Sequence, residues 1–294
     1  MGNGVPVSDP YDLESGPDPA TLAAAEPEPV RSNGADRSEP VGSDGAADPS
    51  VGADDAARSS VHAVGIGPGN LEYLTPRGRR AIEAADVVVG FTTVVEFLTD
   101  GMAVDADVLT CGYRNEAETL AAFAERVADG AVGTAVLMGD PNHSGYQFLG
   151  KVEAAIDRPV RVVPGISALQ VAASRARTPM EATTFVTLHK SGDLDDDLAR
   201  LRADVGDRHL LVLPRPFDLM PEDVAADLIE TADADPSLEA LVLERLTHAD
   251  ERITRTTLGE LAELAESAES ADSPFSDLSV LAVRSTRGIG TSRE

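Results

Sequence analysis

Short apolar runs alternate with amphipathic stretches from Val61 to Val283, and glycine or proline follows several of the runs. Val61-His62-Ala63-Val64-Gly65-Ile66 reads as a buried strand that ends in the turn Gly67-Pro68-Gly69-Asn70. Thr75 and Pro76 supply an N-cap and a first helical position, which predicts a helix to about Ala85. Strands are predicted over Asp86–Gly90, Thr134–Met138 and Val160–Val163, with a helix from Gly145 to Ile156. Asn115-Glu116-Ala117-Glu118 has the spacing of a capping box for a helix through Ala128.

The pattern restarts after Arg177-Thr178-Pro179. Strands are predicted over Thr183–Leu188, His209–Leu213, Leu238–Leu243 and Leu278–Val283. Helices are predicted over Leu194–Arg202, Pro221–Thr231 and Leu258–Ser267, and Glu251–Thr257 reads as an extended arm or a hairpin. Alternating strands and helices imply an open α/β class, divided into residues 60–177 and 178–286. Residues 1–59 hold 12 acidic residues, three arginines and almost no large apolar side chain. That stretch is expected to be a disordered acidic tail, since it has too little apolar surface to offset ordering entropy. A mis-assigned start would give the same texture. Residues 287–294 are expected to be a flexible C-terminus.

Composition narrows the setting. Asp and Glu number 51 against 24 Lys and Arg, a formal net charge of −27, and lysine occurs only at Lys151 and Lys190. An acidic, lysine-poor surface suits concentrated salt, where at ~1 M the screening length falls to about 3 Å and self-repulsion is weak. A halophilic, cytoplasmic protein is the expectation. The same charge argues against a nucleic-acid partner. The single cysteine, Cys111, excludes an internal disulfide and a cysteine-only metal cluster. No apolar run is long enough for a membrane helix, and the opening Met1-Gly2-Asn3-Gly4 is not a secretory signal.

Three loops follow strands, where open α/β sheets bind ligands. They are Gly65-Ile66-Gly67-Pro68-Gly69-Asn70, Met138-Gly139-Asp140-Pro141 and Pro164-Gly165-Ile166-Ser167-Ala168. Taken singly, a plain tight turn, a helix cap at Asp140 and an N-cap at Ser167 account for each one.

In that order, with "LTPRGRRAIEAADVVVG", "GDP" and "VPGISA", the loops resemble the tetrapyrrole methylase family. The likeness runs from about residue 61 to 284. It is strongest to the branch that methylates carbon 5 of cobalt-precorrin-7 in anaerobic cobalamin synthesis, through "GIGPGNLEYLTPRG", "MGDPNHSGYQFLGKV", "VPGISALQVAASR" and "ERLTHADERITRTTLGELAE". Serine and alanine after the Pro-Gly loop depart slightly from many relatives. The resemblance implies two α/β domains with S-adenosylmethionine in the cleft between them. It implies a cofactor pocket of Pro68, Met138, Gly139, Asp140, His143, Ser167 and Ala168, completed by Leu213, Pro214 and Ala240 with Leu241.

The implied acceptor carries many carboxylates and so needs cations. Arg114, Arg175, Arg177 and Lys190 are candidates beside the loops, although surface ion pairs explain each equally well. Asp140, Tyr113 and His143 are candidate proton acceptors with no choice among them, and the other histidines read as structural. No residue spacing suggests a protein-held metal, so cobalt is expected to arrive within the substrate. A homodimer and a separate carbon-15 methylating and decarboxylating protein are also implied. The alternatives are another ring position, diphthine synthase, or a non-catalytic module that binds S-adenosylmethionine or a tetrapyrrole.

Overall fold

Alternate apolar residues face opposite sides of the first sheet in the computed structural model, which describes residues 60–286 apart from 144, 191, 217 and 268–272. The expected acidic tail and flexible C-terminus lie outside the described residues. Strands β1 (Val61–Gly65), β2 (Val87–Phe91), β3 (Asp107–Cys111), β4 (Gly133–Leu137) and β5 (Val160–Val163) form a parallel sheet in the order β3-β2-β4-β1-β5. Val61, Ala63, Val87, Val89, Ala135 and Leu137 pack on helices α3 (Glu116–Ala128) and α4 (Tyr146–Ala155). Val64, Val88 and Val136 point the other way, onto α1 (Pro76–Glu83) and α2 (Thr92–Gly101). Period-2 alternation with both faces covered is what a parallel sheet demands.

Thr75 caps α1 by accepting the Gly78 N–H at 3.1 Å, with Pro76 in the first turn. The expected capping box at Asn115 does not form. Its Oδ1 instead accepts the Gly112 N–H at 2.8 Å, which closes the turn ahead of α3. Helix α2 and strand β3 escape the sequence pattern. Phe91 offers α2 no side-chain cap, and β3 is a largely exposed edge strand without an apolar run.

Helix α5 (Ala168–Ala176) leads out of the first sheet and packs on the second. The second sheet contains β6 (Thr183–Thr187), β7 (His209–Leu213), β8 (Glu239–Glu244), β9 (Arg252–Thr257) and β10 (Ser279–Val283), in the order β6-β7-β10-β8-β9. Only β6 and β7 are parallel, and β8 with β9 forms the hairpin that one of the two readings of Glu251–Thr257 anticipated. One face packs on α6 (Asp195–Asp204), α7 (Pro221–Ala232) and α8 (Leu258–Ser267). The other buries Leu211, Leu241, Leu243, Val280 and Ala282 under Leu169, Val171, Ala172 and Ala176 of α5. A left-handed Arg177 (φ 55°) ends that helix.

Candidate functional site

Strand order brings the three loops together, because β1 lies between β4 and β5 and all three strands run the same way. The first and second loops are bridged by backbone: Gly139 N–H donates to Gly67 O at 2.8 Å, and Gly67 N–H to Gly139 O at 3.3 Å. The third loop fits against both. A Cβ on Gly165 would run into the Gly139 carbonyl oxygen and lie 2.7 Å from the Gly65 carbonyl carbon, so only glycine allows this approach.

Asp140, nearly buried, fastens the junction. Its Oδ2 accepts the Gly165 N–H at 3.1 Å and its Oδ1 the Asn142 N–H at 2.9 Å. Two charge-assisted bonds compensate a carboxylate withdrawn from water. Ser167 opens α5 with its N–H donating to Gln170 Oε1 at 2.8 Å, while its own Oγ is buried without a hydrogen-bond partner among the described residues. A glycine-lined cradle with an orphaned hydroxyl at its edge is a receptive arrangement for a polar ligand.

Around this cradle Pro68 and Met138 are half-buried and Gly139 is buried. His143 is exposed, its ring 6.0 Å from that of Phe185 on β6. Ala168 and Leu213 border the cluster beneath α5, and Pro214 is buried. Ala240 sits elsewhere. It is fully buried in the face packed on α6, α7 and α8, so Leu241 and not Ala240 turns its side chain toward α5.

Tyr113 is 63% exposed, its ring 5.1 Å from that of Phe91, which lies 5.1 Å from Phe148. Arg114 beside it is exposed and has no ion pair among the described residues, and Arg177 is also exposed. The other two candidate cations are engaged: Arg175 Nε meets Glu251 Oε1 at 3.0 Å, and Lys190 Nζ meets Asp197 Oδ2 at 2.6 Å. Phe91 and Glu251 were missed from sequence. An apolar residue at the C-terminal end of β2 was the signal for Phe91; nothing local announced Glu251. A further cleft of about 590 Å³ opens between Asn70, Arg79, Phe97 and Asp100 of the first domain and Thr247 and His248 of the second.

Among the described residues no group of three or more His, Cys, Asp or Glu is arranged to hold a metal, and no helix is long and apolar enough to cross a membrane. Residues 60–262 match the family model of tetrapyrrole (corrin/porphyrin) methylases. A probable cobalt-precorrin-7 C(5)-methyltransferase of Methanocaldococcus jannaschii is 30% identical over 205 residues, covering 68% of this chain and 90% of that protein. A probable cobalt-factor III C(17)-methyltransferase of Methanothermobacter thermautotrophicus is 26% identical, covering 63% of this chain and 58% of that protein. Among solved structures, a uroporphyrin-III C-methyltransferase of Thermus thermophilus complexed with S-adenosylhomocysteine superposes with a TM-score of 0.55 at 22% identity, over 76% of this chain and 92% of that one.

Proposed function

The chain belongs to the tetrapyrrole methylase family, whose members are S-adenosylmethionine-dependent C-methyltransferases, and from that premise we propose that it methylates carbon 5 of cobalt-precorrin-7. The observation that carries the proposal is the likeness over 90% of a carbon-5 methyltransferase relative, together with the three-loop cradle. Similarity to a carbon-17 relative over 58% of its length favours, as a second reading, another position on the same ring.

S-adenosylmethionine, when bound, supplies a sulfonium-activated methyl group for in-line displacement. The protein's work is orientation. Pro68, Met138 and Gly139 wall the cradle, and the unpartnered Ser167 Oγ offers the cofactor a hydrogen bond. Asp140 already accepts two backbone N–H groups, which suits a positioning role more than proton transfer. His143, exposed and with an imidazole lone pair, is the better proton acceptor, and the exposed Tyr113 offers a phenolic O–H to the acceptor ring. The exposed Tyr113 ring, tilted on the half-buried Phe91, offers aromatic contact to a macrocycle, and Arg114 a guanidinium to its carboxylates.

Cobalt would enter within the ring. A cytoplasmic homodimer in a salt-rich cell, working with a separate carbon-15 methylating protein, completes the proposal. Incubation with isotopically labelled S-adenosylmethionine and cobalt-precorrin-7 in concentrated salt should put one label on carbon 5, read by NMR. A label on another ring carbon selects the second reading. A folded protein that transfers none rejects both.

A further inference from the structure

The turn after β8 holds Arg245 at φ 48° and Thr247 at φ 71°. Left-handed torsion in a β-branched residue costs about 1–2 kcal/mol and persists only where surroundings enforce it. Glu251 provides the enforcement. Its Oε2 accepts the Thr247 N–H at 2.8 Å, and its Oε1 accepts from Arg175 Nε of α5 at 3.0 Å. Burial pushes the Glu251 carboxyl up, but the bond from Arg175, the Thr247 N–H and the Arg175 charge outweigh it and hold the group below the ordinary carboxylate range.

The same structure links back to the first domain at two points. Tyr73 packs against the apolar cluster beneath α5, the helix that carries Arg175. Tyr73 packs on Gly67, where a Cβ would approach the tyrosine Cβ to 3.2 Å. At the far side of the turn His248 covers Gly69 so closely that a Cβ there would collide with the imidazole, at 2.5 Å from Cδ2. Phe97 of α2 faces that ring, centroids 6.5 Å apart. Gly67, Tyr73, Arg175, Glu251, Thr247, His248 and Gly69 thus form a closed circuit around the glycine loop that follows β1.

We propose that Arg175 and Glu251 are positioning residues that hold the Thr247–His248 turn against the Gly67–Asn70 loop and so set the affinity of the cofactor cradle; this rests on the cofactor reading above. Arg175 then acts within the protein and not on the acceptor. With its side chain 43% exposed, its ion pair adds less than about 1 kcal/mol to global stability, so the consequences of losing it are local.

Two measurements on the full chain test this. In Glu251→Gln, amide hydrogen exchange over residues 65–73 should accelerate, and the dissociation constant for S-adenosylhomocysteine should rise roughly tenfold, with the melting temperature kept within about 3 °C. Adding Thr247→Gly should recover part of that affinity, because glycine adopts the left-handed torsion unaided. Unchanged exchange over residues 65–73 in Glu251→Gln overturns the proposal, as does an affinity loss that tracks melting temperature and is not recovered by Thr247→Gly. If the unmodified protein binds no S-adenosylhomocysteine, the cofactor reading fails, and the latch is then judged by exchange alone.

Discussion

The Asp140 carboxylate accepts the backbone N–H of Gly165 across 25 residues of chain, and this one bond ties the loop after β4 to the loop after β5. Removing it with Asp140→Ala leaves the buried Gly165 N–H without an acceptor and gives up the bond to the N–H of the exposed Asn142. We expect a loss of about 2–4 kcal/mol in denaturant unfolding and at least a tenfold weaker affinity for S-adenosylhomocysteine by calorimetry. Asp140→Asn, which keeps one acceptor oxygen, should fall between. Intact affinity in Asp140→Ala would mean that the cradle is not the cofactor pocket.

Gly165→Ala drives a methyl group into the Gly139 carbonyl and the Gly65 backbone, neither of which can rotate away. The expected outcome is a destabilisation of several kcal/mol, or no folded protein at all, as for other overpacked sites. Gly112→Ala is the control: a Cβ there meets only Asn115 Oδ1, at 3.8 Å, and its melting temperature should barely move.

Tyr113→Ala and Arg114→Ala should separate acceptor binding from cofactor binding. Each removes a largely exposed side chain, so the fold should persist. The KM for the tetrapyrrole should rise about 5- to 30-fold, while S-adenosylhomocysteine affinity stays unchanged. Equal KM values in both variants would remove these residues from the acceptor site.

Acid should destabilise the protein through its histidines. Burial lowers the pKa of His62, with the Arg161 charge adding to it; burial lowers that of His189 against the opposing Asp277; burial lowers that of His209, helped by Arg284 and Arg208. The unfolded chain therefore binds these protons at a higher pH than the folded one. Their stabilising contribution is fully present above the unfolded value of 6.5 and is lost as pH falls through the lower folded values. His209 Nδ1 accepts the Ser285 N–H at 3.1 Å, a bond that protonation abolishes. Melting temperature should hold above about pH 6.5 and drop as the pH falls below it at constant salt, and His209→Asn should flatten part of that slope.

Salt should act in the opposite direction. A net charge of −27 repels itself least where screening is strongest. Raising potassium chloride from about 0.2 M to about 2 M should raise the melting temperature, and a flat or falling curve would count against a salt-adapted surface.

What the amino-acid sequence determined alone is the local part: strands from apolar runs, α1 from Thr75 and Pro76, and the three glycine-bearing loops, whose expected ligand rested on the family resemblance. Those features depend on neighbours within a few residues, so periodicity and chain-breaking residues reveal them. Helix α2 lacks a side-chain cap to mark its start, and β3 is an edge strand that buries only Cys111 fully and Leu109 in part, so neither has a clear boundary signal. Only the tertiary structure decided which loops touch, because the order β3-β2-β4-β1-β5 is what puts Gly65, Gly139 and Gly165 in contact. It also decided that Leu241 and not Ala240 looks toward α5, and that Arg175 answers Glu251 across 76 residues. Alternation along a strand yields two faces without saying which one meets the site, and an ion pair between distant residues leaves no spacing to read.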